Sequence, residues 1–185
     1  MTIQKRLASL LALTLLISTA FVAAGCRGKR ATTVQNDEGE PAAKLPVVSA
    51  LKMNDPAAPA QIVKGISALE NNSWRWTGGN FSFVLKTPPG AAQKGGTVSL
   101  TLVVSEAVLK QVHSQTLTAA IGDKTLGTQK FTEAGNYTFA ADVPAAALTT
   151  DTVTVDFSLD NSLAPSASDR RELGVIATAV ALESK

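Results

Sequence analysis

GISALENNSWRWTGGNFSFVL, residues 65–85, decides how this chain is read. It holds both tryptophans, Trp74 and Trp76, and its second half alternates, with Phe81, Phe83 and Leu85 set against Ser82, Val84 and Lys86. Alternation places each kind of residue on one face of an extended chain, the mark of a half-buried strand. The asparagine-rich 70–73 and Gly78-Gly79-Asn80 carry turn chemistry. The stretch is therefore expected to run turn, strand at 74–77, second turn at 78–80, and strand from Phe81.

The same alternation recurs downstream. Val98, Leu100, Leu102 and Val104 face one way and Thr97, Ser99, Thr101 and Val103 the other. Val153, Val155, Phe157 and Leu159 repeat the pattern, and shorter strands are expected at 116–121, 124–131 and 137–143. Residues 174–182 are apolar on both faces, with Val175, Ala177, Ala179 and Ala181 on one and Ile176, Val180 and Leu182 on the other, as in a central strand. SEAVLKQV, 105–112, is the best helical candidate, with Ser105 as a candidate N-cap. Upstream, a strand is expected at 62–67, and 46–53 reads as either a first edge strand or an extension of the linker before it. Glycine pairs at 78–79 and 95–96 read as hairpin turns and open no helix, so neither is a phosphate loop. Eight or nine strands separated by frequent turn signals argue an all-β chain, and the alternating loop lengths fit a two-sheet jelly-roll β-sandwich over 46–185.

The chain begins differently. Lys5 and Arg6 precede an uncharged apolar run, 7–24, that ends Ala23-Ala24-Gly25-Cys26. Residues 1–25 are expected to be a signal peptide. Small residues before a lone cysteine resemble the lipobox of bacterial lipoproteins, with Ala23 where that pattern usually has leucine. The resemblance implies a lipidated Cys26, with a diacylglycerol on its thiol and an acyl chain such as palmitate on its amine. Two or three chains hold a protein on a bilayer where one holds it only marginally. Arg27 after the cysteine resembles cargo for the outer membrane if the envelope is diderm. The mixed-charge 26–45 cannot bury enough surface to order itself and reads as a flexible linker, spanning roughly 20–25 Å. The soluble domain is then expected outside the cytoplasm, in the cell envelope, attached to the membrane by its lipid.

Charge narrows the partners. Seventeen basic residues become fifteen once Lys5 and Arg6 leave with the signal, against fifteen acidic ones. A near-neutral chain without a basic patch gives no reason to expect nucleic acid. Cys26 is the single cysteine, so no intrachain disulfide can form.

Gly65, Glu70, Arg75-Trp76-Thr77, then Pro165 and Asp169-Arg170-Arg171-Glu172-Leu173-Gly174 form a pattern that resembles a bacterial jelly-roll domain. That domain is similar to galactose-binding-like, carbohydrate-binding modules, and occurs alone or appended to glycosyltransferases and envelope polysaccharide proteins. The resemblance covers about residues 60–185. It implies a non-catalytic envelope lipoprotein associated with glycans.

Four residues are candidates for ligand binding: Trp74, Arg75, Asp169 and Arg171. Trp74 and Trp76 share a strand face and would form a stacking platform for a pyranose ring, or core anchors; Trp76 is expected in the core. Arg75 is expected to pair with Asp169, and Arg171 with Glu70, in a latch holding a late loop to an early strand. Asp160, Asn161 and Asp169 offer the hard oxygens of a structural calcium site; no other cofactor is expected. His113 is the only histidine, so zinc sites of the usual kinds and a serine triad have little to build on. No catalytic residue stands out. The alternative function is a structural or assembly lipoprotein that docks a protein partner through the sandwich. An aromatic exposed beside Arg and Asp would favour sugar; a flat apolar patch would favour the protein partner.

Overall fold

The computed structural model describes residues 45–185. The expected signal peptide, Cys26 and linker residues 26–44 lie outside the described residues. In chain order the elements are β1 (Ala50–Lys52), a single turn α1 (Ala58–Gln61), β2 (Ile62–Ile66), β3 (Arg75–Lys86), α2 (Ala91–Lys94), β4 (Gly96–Val104), α3 (Glu106–Val112), β5 (Gln115–Ile121), β6 (Lys124–Phe131), β7 (Gly135–Val143), a 3-10 turn (Ala145–Ala147), β8 (Thr152–Leu159) and β9 (Ile176–Ser184).

These strands form two antiparallel layers. One runs β1–β9–β4–β7 and the other β2–β3–β8–β5–β6. Successive strands from β3 onward mostly cross from one layer to the other, which is the jelly-roll path. The inner faces meet in one core. Phe81, Phe83 and Leu85 of β3 and Val153, Val155, Phe157 and Leu159 of β8 pack against Val98, Leu100, Leu102 and Val104 of β4 and Phe139 of β7. Phe157 sits at the middle, stacked on Phe81 at 5.2 Å and set edge-on to Phe83 and Phe139.

Three expectations need correcting. First, Gly78-Gly79-Asn80 is no turn. It lies inside β3, a continuous twelve-residue strand. Arg75 and Trp76 pair with Ala177 and Ile176 in the first layer, and Asn80 onward pairs with β8 in the second. The glycines mark the place where the strand passes between layers. Second, Gly95-Gly96 is no hairpin: Gly95, at φ 79°, closes α2, and Gly96 opens β4. Third, β9 does not keep one alternation. A register shift against β4 between Thr101 and Leu102 moves its phase, so Val175, Ala177, Val180 and Leu182 are all buried. The strand is nonetheless central, with β1 and β4 on its two sides.

α3 forms where the helical pattern placed it, although the Ser105 side chain makes no cap bond. Gln61, fully buried, does the work of a short strand. Its amide accepts from Val48 N–H and donates to the carbonyls of Val48 and Val84, tying the entering segment to β3.

Candidate functional site

The charged and aromatic residues singled out in the sequence gather at the end of the sandwich where β3 changes layers. Asn71 and Asn72, both left-handed at φ 47° and 49°, close the turn before β3, and Glu70 pairs with Trp74 across it. Asparagine tolerates that conformation because its short amide can bond locally. The turn aims the Glu70 carboxylate at the loop between β8 and β9.

Arg171 lies on that loop and receives it. Its Nη1 donates to Glu70 Oε1, its Nε to Asp169 Oδ1 at 3.0 Å and its Nη2 to Asp169 Oδ2 at 2.8 Å. The fork on Asp169 is bidentate, a geometry that only guanidinium supplies. The expected Arg75–Asp169 pair does not form. Arg75 lies on the other side of the strand from the tryptophans, and there its Nε donates to Met53 O at 3.0 Å and its Nη1 to Ser67 O at 3.2 Å. It joins the turn after β1 to the turn after β2, while Arg171 joins the early strand to the late loop.

Backbone contacts finish the join. Gly174 N–H donates to Thr77 O at 2.7 Å, Thr77 N–H to Val175 O at 2.9 Å, and Val175 N–H to Thr77 Oγ1 at 3.0 Å. Leu163 and Leu173 pair across the loop's base, and buried Gln115 donates to Asn161 O at 3.0 Å and Gly174 O at 3.4 Å. A Cβ on Gly174 would lie 2.6 Å from Gly78 O, so the segments touch backbone to backbone.

Arg171 holds the Asp169 carboxyl at about 2, down from 3.8. A depressed carboxylate pKa stabilises the fold above the unfolded value, and the contribution fades as pH falls through the folded value. Arg171→Ala is therefore expected to lower the melting temperature by a few degrees at neutral pH. Its deficit should shrink between pH 4 and pH 2, which melts across that window would show. A deficit independent of pH would mean the pair contributes nothing.

Trp74 and Trp76 lie at right angles with ring centroids 6.1 Å apart. Both are half-buried and neither belongs to the core. Trp76 is thus not the expected core anchor: its side of the strand continues through Gly78 and Asn80 to the outer face, while Thr77, Gly79 and Phe81 turn inward. Further along the strand lies a cleft of about 280 Å³ lined by Gly65, Ile66, Ser67, Gly78, Arg171 and Glu172, with neither tryptophan in its lining.

Glu172 was expected only as a member of the late charge cluster, the two glycines only as a turn, and Ser162 not at all. The Glu172 carboxylate lies over Gly78 and Gly79, where added Cβ atoms would come within 2.9 Å of Oε2 and 2.7 Å of Oε1. The Ser162 hydroxyl donates to Oε1 and fixes the group's direction. A glycine inside an otherwise extended run signals close approach of another group, and that was the available clue.

The calcium ligands do not assemble. Asp160 accepts from Thr116 N–H at 2.6 Å, Asn161 donates to Ser114 O, and Asp169 is held by Arg171. Among the described residues no group of three or more His, Cys, Asp and Glu side chains is arranged to hold a metal ion. A larger concavity of about 460 Å³ lies beside α3, lined by Leu109, His113 and Glu133 among others. Its Glu106 and Lys110 pair with each other at 2.7 Å, and nothing there converges as Arg171 and Glu172 do.

No protein-family model matches the chain, and no curated protein matches it in sequence. Among solved structures it is similar to the carbohydrate-binding module CBM51-2 with the INT domains of Clostridium perfringens ZmpB, in complex with GlcNAc. That match has 11% identity and a TM-score of 0.36, covering 75% of this chain and 28% of that one. A structure described as "CBM4 structure and function" matches at 10% identity and a TM-score of 0.30, covering 72% and 81%. The chain thus spans under a third of the ZmpB structure's length. Likenesses of this extent carry no argument about ligands.

Proposed function

We propose that the domain is a non-catalytic, glycan-binding module displayed on the cell envelope by a lipidated Cys26. The observation that carries the reading is a cleft whose polar groups are held in place from several directions, on the strand end that also carries the half-buried Trp74–Trp76 pair. Sugar recognition needs an aromatic surface for the ring and fixed hydrogen-bonding groups for the hydroxyls. Docking of a protein partner would need an apolar patch instead. Among the described residues the large hydrophobics with high exposure are Leu45 at 47% and Val63 at 55%, the scatter ordinary for a soluble surface.

The lipid anchor and envelope location rest on the sequence of residues 1–26, outside the described residues. One experiment tests both parts. The mature chain with Cys26→Ser is expected to leave the membrane fraction and, placed on a glycan array, to bind through a surface that Trp74→Ala disables. Persistence in the membrane fraction would remove the anchor from the reading. An array without signal, or one that Trp74→Ala leaves unchanged, would remove the glycan or this cleft.

A further inference from the structure

The arrangement of acceptors in the cleft narrows the ligand further, given the glycan reading above on which this rests. Two charged side chains line it. Arg171 commits three of its five N–H groups and all its planar geometry to Glu70 and Asp169. Its charge meets two carboxylates, so it offers no free cation to an acidic ligand. Glu172 is the reverse case. It is exposed, it joins no ion pair among the described residues, and the partner that fixes it is a neutral hydroxyl.

The floor beneath it is bare main chain, on which the carboxylate rests. A Cβ on Gly78 would lie 2.9 Å from Glu172 Oε2 and 3.8 Å from the Gly65 carbonyl oxygen. Both are acceptors. Glycine in a strand interior is destabilising by roughly 0.5–1 kcal/mol relative to alanine, and two in succession are retained here under one carboxylate. Gly78 takes no left-handed backbone angle that would demand glycine; the reason is the Glu172 carboxylate, which lies where a side chain would begin.

We infer that the cleft over Gly78 selects glycans carrying a free amine, the ammonium being received by Glu172. Such a group supplies three donors and the charge that Glu172 lacks. A hydroxyl supplies one donor and no charge, an N-acetyl group masks the amine, and a uronic or phosphorylated sugar sets like charge against like.

The test uses the mature full chain and hexosamine oligomers of several linkages, each as a pair, free-amine and N-acetylated, with oligogalacturonate as the acidic control. At low salt the free-amine form is expected to bind about tenfold more tightly than its N-acetylated partner, the range of a charge-assisted hydrogen bond. The difference should contract as salt rises. Glu172→Gln should abolish the preference while leaving the melting temperature within about a degree, since Glu172 is exposed and unpaired. Gly79→Ala, whose Cβ would displace the carboxylate, should also abolish the preference, at some cost in melting temperature because the position is buried. Equal binding of both members of each pair, tighter binding of oligogalacturonate, or a preference that survives Glu172→Gln would overturn this inference and leave the glycan reading standing. Absence of binding by every oligomer would sink both.

Discussion

Phe157→Ala is expected to lower the unfolding free energy by about 3–5 kcal/mol, the usual effect of removing a buried phenylalanine. Phe157 makes the stack with Phe81 and the edge contacts to Phe83 and Phe139, and so joins residues from both layers. It is almost entirely buried, and its neighbours are held in strands that cannot close over the void. A domain's total stability is about 5–15 kcal/mol, so the variant should be close to unfolding at body temperature. Urea titration followed by tryptophan fluorescence reads the change in midpoint. A loss below about 1 kcal/mol would show that the aromatic cluster is not the centre of the core.

The second large effect is expected at Gly65. Its φ is 71°, in the left-handed region, and a Cβ there would lie 1.9 Å from Asn80 O. That oxygen is backbone in the middle of β3, so no side chain can move aside. Gly65→Ala should force β2 off β3 and destabilise by on the order of 3 kcal/mol or more. Gly122→Ala is the matched control. Gly122 also has positive φ, 56°, but no atom lies within 4 Å of its missing Cβ. It should lose only the conformational term, about 1 kcal/mol. If the two variants unfold at the same urea concentration, the close approach of Gly65 to Asn80 is not real.

How much of this was legible depends on the range of the forces involved. The alternations at 98–104 and 153–159 are local, and those strands lie where the period put them. So does α3. Gly78-Gly79 was misread because turn chemistry is also local, whereas its actual cause is a carboxylate arriving from the last loop. Size and hydrophobicity argued for burying Trp76, but position in the strand decides: its side of β3 leads outward through Gly78 to the exposed Asn80. The two charge clusters pointed to an early–late join, and Glu70 does meet Arg171. Which arginine meets Asp169 could not be read, because Arg75 faces two carbonyls that no side-chain pattern reports. The phase change in β9 was hidden for a similar reason, since a bulge belongs to a pair of strands and not to either sequence. Glu172 stood in the late charge cluster; what it rests on shows only in the glycines beneath it.

Among the described strands, β3 is the one hydrogen-bonded into both layers. The sandwich is thus a single folded ribbon, stitched along one seam, and not two plates held by grease alone. Loosening either plate near Arg75 pulls on the other through the main chain. Cooperativity between the halves is built into the covalent path, and the cleft sits on the seam itself, where a bound molecule would be felt by both.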